Sequence, residues 1–252
     1  MHTKYEAKLL GSFSFTIDDR PVSIRAGKQR SLMGLLLVEA PHSVSLDAVM
    51  TALWSEEKPP RNARTAVHIH MARLRRILCD VQCGSEKIIT TKRSSYQIDS
   101  SEVKIDLRLY KEACQSAQIA RSKGETTLEE WHLTRAVELW NGDLLEDVPL
   151  GTDYDDRRRL LREWHLDVLE RLWEIRIEQG ASAQAVMLLR RLLASYPLRE
   201  NAWCLLMTAL MRDGRSAEAV SAFNAAREIF TEQLGIGPGM RLQSLFQEVL
   251  TA

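Results

Sequence analysis

Between Arg61 and Leu78 the chain reads RNARTAVHIHMARLRRIL, the segment best equipped for chemistry with a polyanion. Placed about 100° apart around a helix, Ala63, Val67, His70, Met71, Leu74, Ile77 and Leu78 share one broad side. Arg61, Arg64, Thr65, His68, Ala72, Arg75 and Arg76 share the other, with Ile69 and Arg73 flanking. One side is made to pack, while the other offers guanidinium groups, small residues and an imidazole. An α-helix fits the major groove of B-form DNA. There an arginine grips a guanine edge through two hydrogen bonds or neutralises a phosphate, and small neighbours permit close approach. Base contacts are expected from Arg64, Thr65 and His68, with Arg61 on the same face, and phosphate contacts from Arg73 and Arg76. His70 lies on the packing side and reads as a core histidine. A solvated basic helix has the same composition, so the elements around this one must decide between the two readings.

Those elements are ordered as in a winged helix. Tyr5–Leu10 and Ser12–Ile17 read as strands, Asp18–Pro21 as a turn, and Val22–Ile24 as a third short apolar run. A helix opens at Gly27 and ends before Pro41. Lys28 and Arg30 at its start are either phosphate contacts or ordinary surface cations. Ser45 is a cap for a second helix, Leu46–Trp54, whose Leu46, Val49, Met50 and Leu53 share a face. The turn-rich Ser55–Pro60 separates it from the basic helix. Beyond Gly84, Lys87–Thr91 and Tyr96–Ile98 read as strands joined by Lys92-Arg93-Ser94-Ser95, the length and composition of a hairpin tip. Lys92, Arg93 and Tyr96 would then form a wing reaching an adjacent groove or backbone.

From Asp106 onward the β signal stops and helical patterns follow one another, broken at positions such as Gly124, Gly142, Gly180, Pro197 and Gly214. Gly180/Gly214, Ala183/Ala217, Ala185/Ala219, Leu172/Leu206 and Leu189/Phe223 all keep one offset, the 34-residue spacing of tetratricopeptide (TPR) helix pairs. Each pair must stack on a neighbour to bury its apolar face, so a helical solenoid is expected. Trp131, Trp140, Trp164, Trp173 and Trp203 fall in this half and read mainly as core.

Charge supports the division. Residues 1–99 hold 15 Lys+Arg against 10 Asp+Glu, and residues 100–252 hold 19 against 24, so the overall charge of zero conceals a basic and an acidic half. No run of about 18 apolar residues exists to span a membrane, and MHTKYEAKLLGSFSF is a poor signal peptide, so a cytoplasmic protein is expected. Cys79, Cys83, Cys114 and Cys204 form no CxxC pair and read as reduced structural thiols. Nucleophile-elbow, P-loop, zinc-protease and dinucleotide motifs are absent, so neither catalysis nor a cofactor is expected. Asp153, Asp155 and Asp156 are read as acidic residues ahead of a helix starting near Arg157, where they favour its positive end, rather than as a metal site. The expected fold is mainly α with a small β component. It comprises a winged helix-turn-helix domain over 1–99, a connector over Asp99–Lys104, and an all-α TPR-like solenoid within 100–252.

At these residues the chain resembles the antibiotic-regulatory (SARP-type) transcriptional activators, which join an OmpR-type winged helix to a bacterial transcriptional activator domain. The stretch Pro60–Arg64 through Ala72–Arg76 is similar to that family's recognition helix. Ala136–Leu145 is similar to the A-x-x-L-W-x-G-x-x-L signature of its helical domain, and Pro197–Glu200 and Leu234–Pro238 match further along. The resemblance implies binding of double-stranded promoter DNA, commonly by two copies head-to-tail on direct repeats, and recruitment of RNA polymerase. It implies no membrane partner. Departures are His68 and His70, where the family often has Gln and an aromatic residue, and Ser95 before Tyr96, where Gly-Tyr is usual. No receiver domain precedes the winged helix in this sequence, which argues against control by aspartate phosphorylation within it. The competing reading is a TPR-type adaptor whose winged helix serves protein contacts. A basic helix beside a basic wing is what separates the two.

Overall fold

The structure is a computed structural model that describes residues 4–25, 27–54 and 59–251, apart from the side chain of Asp153. Alternating apolar residues build the first sheet. Strand β1 (Tyr5–Lys8) buries Tyr5 and Ala7, and β2 (Ser14–Ile17) buries Phe15 and Ile17. The two run antiparallel with Tyr5 opposite Ile17 and Ala7 opposite Phe15. Asp18 and Asp19, at φ 48° and 63°, turn the chain into β3 (Arg20–Pro21), a left-handed pair that Asp tolerates. The third strand therefore lies just ahead of the expected Val22–Ile24 run, although Val22 and Ile24 are buried all the same.

Helix α1 (Gly27–Glu39) buries Leu32, Met33 and Leu35–Leu37. A short strand, β4 (Val44–Ser45), leads into α2 (Leu46–Trp54), and the Ser45 hydroxyl caps it by accepting from the Ala48 amide at 3.1 Å. Part of the turn expected over Ser55–Pro60 falls on residues 55–58, outside the described residues. Helix α3 (Ala63–Val81) begins at its cap Asn62, whose Oδ1 accepts from the Thr65 amide, and runs three residues past the expected end. A 3-10 turn (Ser85–Ile88) precedes the hairpin of β5 (Ile89–Lys92) and β6 (Ser95–Ile98). β6 lies between β5 and β4, giving the three-stranded sheet of the wing. Val103–Ile105, at the end of the expected connector, form β7, which lies parallel to β1 and completes the first sheet in the order β3-β2-β1-β7.

The remaining elements are helices: α4 (Asp106–Ser122), α5 (Thr126–Leu139), α6 (Thr152–Glu178), α7 (Ser182–Ser195), α8 (Glu200–Arg212), α9 (Ser216–Leu234) and α10 (Met240–Thr251). Helix α6 starts at Thr152, not near Arg157, so Asp155 and Asp156 belong to its first turns. They pair with Arg158 at 2.7 Å and Arg159 at 3.4 Å. Gly180 and Gly214 carry the 34-residue offset into the structure as the residues ahead of α7 and α9. Both have positive φ, 95° and 72°, and a Cβ at either would meet open space, so backbone conformation rather than room selects glycine there. The chain divides into two compact units, residues 1–165 and 166–252. The second is built on Trp173, Leu189, Trp203, Leu206, Phe223 and Phe230, with Phe223 stacked on Phe246 at 4.0 Å. The architecture is a winged helix followed by a TPR-like helical array.

Candidate nucleic-acid interface

Helix α3 buries Val67, Met71, Leu74 and Leu78, a stripe at i, i+4, i+7 and i+11 that seats it against the core. Thr65, His68, Ala72, Arg73 and Arg76 are exposed on its other side, with Arg61 just ahead of the helix and Arg64 in its first turn. Among the described residues Arg61, Arg73 and Arg76 have no carboxylate partner. Arg64 comes within 3.9 Å of Asp47, with both side chains largely in water, a contact worth little. Ile69, read from the sequence only as a flank, stands 46% exposed on this basic face. Its signal was present in the sequence, as an apolar residue at an exposed helical angle.

Arg75 differs from its neighbours. Its guanidinium donates to the Ile89 carbonyl at 2.9 Å and to Thr91 Oγ1 at 2.7 Å, so it holds the wing against the helix. The wing turns on Arg93-Ser94, with Arg93 at φ 50° and Ser95 Oγ closing the turn onto the Lys92 carbonyl at 2.9 Å. Ser95 thus takes the place of the usual glycine without carrying the positive φ, which falls on Arg93. Lys92 and Arg93 are exposed and have no ion-pair partner among the described residues.

Three other candidate residues sit differently from the sequence reading. Tyr96 does not face outward from the wing. It is 3% exposed, with its hydroxyl 2.6 Å from His68 Nδ1 and its ring edge-to-face with the imidazole. The alternation of β6 explains this, because Tyr96 and Ile98 share its buried face. Lys28 donates to the Leu53 carbonyl at 2.6 Å and lies over the Trp54 ring. Arg30 pairs with Asp147, donates to the Phe13 carbonyl at 3.2 Å and covers the Phe13 ring. Both cations are thus held by intramolecular contacts. His70 is half-buried, with Nδ1 3.1 Å from Gln29 Nε2. Burial first, then the charges of Arg73 and Lys28, lower its pKa, which suits the expected core role.

The segment after α5 clasps the winged helix. Gly142 lets the chain pass so close to Gly11 that a Cβ would lie 3.0 Å from the Gly11 Cα. The Gly11 amide donates to the Asp143 carbonyl at 2.9 Å, and the Leu145 amide donates to the Leu9 carbonyl at 2.7 Å. Buried Asp106 accepts from the amides of Leu9, Leu10 and Leu107 at 2.7–3.0 Å. Trp140 stacks on His165 at 4.1 Å, and Arg162 pairs with Asp143. The W-x-G signature residues therefore join the two sequence halves within one compact unit.

Residues 105–250 match the bacterial transcriptional activator domain. The regulatory protein DnrI of Streptomyces peucetius is 30% identical over 232 residues, covering 90% of this chain and 85% of DnrI. The chain belongs to the SARP-type transcriptional activators. Within this family, the regulatory protein AfsR of Streptomyces coelicolor is 33% identical over 245 residues. That match takes in 97% of this chain but only 24% of AfsR. The chain thus spans about a quarter of that longer relative. EmbR of Mycobacterium tuberculosis, solved with a low-affinity phosphopeptide, superposes with a TM-score of 0.87 at 26% identity, over 99% of this SARP-type chain and 65% of the EmbR chain. No helix among the described residues is long and apolar enough to cross a membrane.

Proposed function

We propose that this chain regulates transcription by laying α3 in the major groove of promoter DNA. Arg61, Arg64, Thr65, His68, Arg73 and Arg76 face the duplex, while Lys92 and Arg93 reach the neighbouring backbone. Tyr96 acts from behind His68, and Lys28 and Arg30 serve the protein's own packing. Residues 1–99 are the reader and the helical half is the regulatory part. Two copies sit head-to-tail on direct repeats, and the helical half meets RNA polymerase. No cofactor or catalytic step enters this reading. One observation carries it. The exposed cations of α3 and of the wing tip lie on adjoining elements joined by Arg75 and the Tyr96–His68 contact, and most have no carboxylate partner among the described residues. The test is selection of bound fragments from genomic DNA, followed by a salt titration on the best site. A recovered direct repeat whose affinity falls steeply with salt is expected. Binding indifferent to salt, or an Arg64→Ala variant that binds as tightly as the parent, would remove the groove reading.

A second reading, an adaptor that takes a peptide, draws on a groove of about 480 Å³ among α7, α8 and α9, lined by Leu193, Trp203, Leu206, Ala222 and Ile229. It is compatible with the first. Retention of a partner protein by a variant lacking the α3 arginines, with no DNA selected by the parent, would favour it.

A further inference from the structure

We infer that Tyr96 fixes the tautomer of His68 so that the imidazole presents Nε2–H to the DNA and selects guanine where it lands. This rests on the reading that α3 occupies the major groove.

The phenol is held in place by the wing sheet, where Tyr96 pairs with Val44 on one side and Thr91 on the other. Its hydroxyl lies 2.6 Å from His68 Nδ1 and makes no other hydrogen bond among the described residues. Burial raises the phenol pKa, so it keeps its proton at neutral pH. A phenol oxygen can also accept from an Nδ1–H, but only by donating to Nδ1 does this hydroxyl give its own proton a partner among the described residues. A neutral imidazole that accepts at Nδ1 carries its own proton at Nε2. His68 itself is exposed, and Nε2 makes no hydrogen bond among the described residues. The atom turned toward the groove is therefore a donor and cannot accept.

Base edges in the major groove respond unequally to a lone donor. Guanine offers two adjacent acceptors, N7 and O6, whereas adenine sets an amino group beside its N7 and cytosine shows only an amino group. Guanine is the best partner and cytosine the worst. A glutamine, which both donates and accepts, would suit adenine instead. His68 thus reads guanine at this position, and Tyr96 is the positioning residue that makes the reading definite.

Selection from a random duplex pool by the whole chain, repeated with His68→Ala and Tyr96→Phe, tests this. The parent is expected to enrich a guanine whose replacement by 7-deazaguanine weakens binding by about tenfold. In both variants the preference at that one position should collapse, while the rest of the motif and the salt dependence persist. His68→Gln should shift it toward adenine. Nitrogen-15 spectra of the histidines in the free protein provide a readout independent of DNA, with His68 expected as the Nε2–H tautomer and converting to a mixture in Tyr96→Phe. An Nδ1–H tautomer in the parent, or base preferences unchanged in both variants, would overturn this inference alone. No enriched sequence at all would overturn it together with the groove reading.

Discussion

Helices α3 and α6 are both rich in arginine, yet, Arg75 of α3 aside, they use it in opposite ways. On α6, Arg158 is 17% exposed and donates to the carbonyls of Leu144, Leu145 and Val148, each at 2.8 Å, while also pairing with Asp155. Arg162 pairs with Asp143 four residues further on. These guanidiniums fold a loop: they supply the donors that an irregular stretch of backbone needs once it is out of water. On α3, Arg73 and Arg76 stand in solvent with no carboxylate beside them among the described residues. A cation with internal partners stabilises its own protein. One without them is free to exchange its hydration and counterions for a phosphate or a base edge. Arginine content does not separate the two helices, but the identity of each guanidinium's acceptor does.

The largest effect should come from breaking the internal kind. Arg158→Ala takes the guanidinium donor from the carbonyls of Leu144 and Val148 and one of two donors from that of Leu145, and is expected to cost roughly 3–5 kcal/mol of stability, read as a lower urea midpoint. Affinity for a selected DNA site, measured where the variant is still folded, should stay within about twofold, since each factor of ten is about 1.4 kcal/mol and no contact to the duplex is removed. A large loss of affinity without loss of stability would show that α6 also meets DNA, and the contrast between the helices would fail.

Acid should reveal the same internal economy through His165. Burial holds its pKa down at about 4, and the nearby Asp143 carboxylate only partly opposes this. Unfolded, the imidazole titrates near 6.5. Between these values the unfolded chain binds a proton that the folded chain does not, so stability is intact above about pH 6.5 and falls as pH drops toward 4. The loss is on the order of 3 kcal/mol at the acid end. Urea titrations at several pH values should show this slope, and His165→Phe, which keeps a ring against Trp140, should flatten it. An unchanged slope in that variant would assign the acid sensitivity to carboxylates instead.

On α3 the expectation reverses. Arg76→Ala removes an exposed side chain and should leave stability within about 0.5 kcal/mol. It should weaken all DNA sites alike and lower the salt slope by about one. Arg64→Ala should instead cost about 1–3 kcal/mol mainly at its best sequences, relaxing specificity at one base. Equal behaviour of the two variants would mean that the N-terminal half of α3 does not read bases.

Much of this arrangement was legible in the residues. The packing stripe of α3, the Ser45 cap, the hairpin around Lys92–Ser95 and the Gly180/Gly214 offset are local signals, set by spacings of a few residues or by one repeat. What stayed hidden depended on distant partners. Arg30 meets Asp147, 117 positions away in sequence, and no periodicity in α1 announces that. The three residues of β7 are a strand only because β1, nearly a hundred positions earlier, offers them an edge. The sequence puts Tyr96 on the wing strand but leaves its face open, because a four-residue strand beside a turn gives alternation too little length to fix its phase. Arg75 looked like its neighbours on a helical wheel. The wing that engages it comes from a separate stretch of chain.

The smallest predicted effect is also the one that weighs position against charge most directly. Arg93 occupies the first central position of a two-residue hairpin turn at φ 50°, where glycine is the comfortable residue and an L side chain is strained. Arg93→Gly relieves that strain while making the unfolded chain more flexible, so the net gain in stability should be no more than about 1 kcal/mol. If Arg93 serves the backbone of DNA, the same change should lower the salt slope by about one while leaving the enriched motif intact. A stabilised variant with weaker, equally specific binding would mean that the wing tip keeps a strained residue for its charge. A variant that is more stable and binds just as well would take Arg93 off the DNA and leave Lys92 to carry the contact proposed for the wing tip.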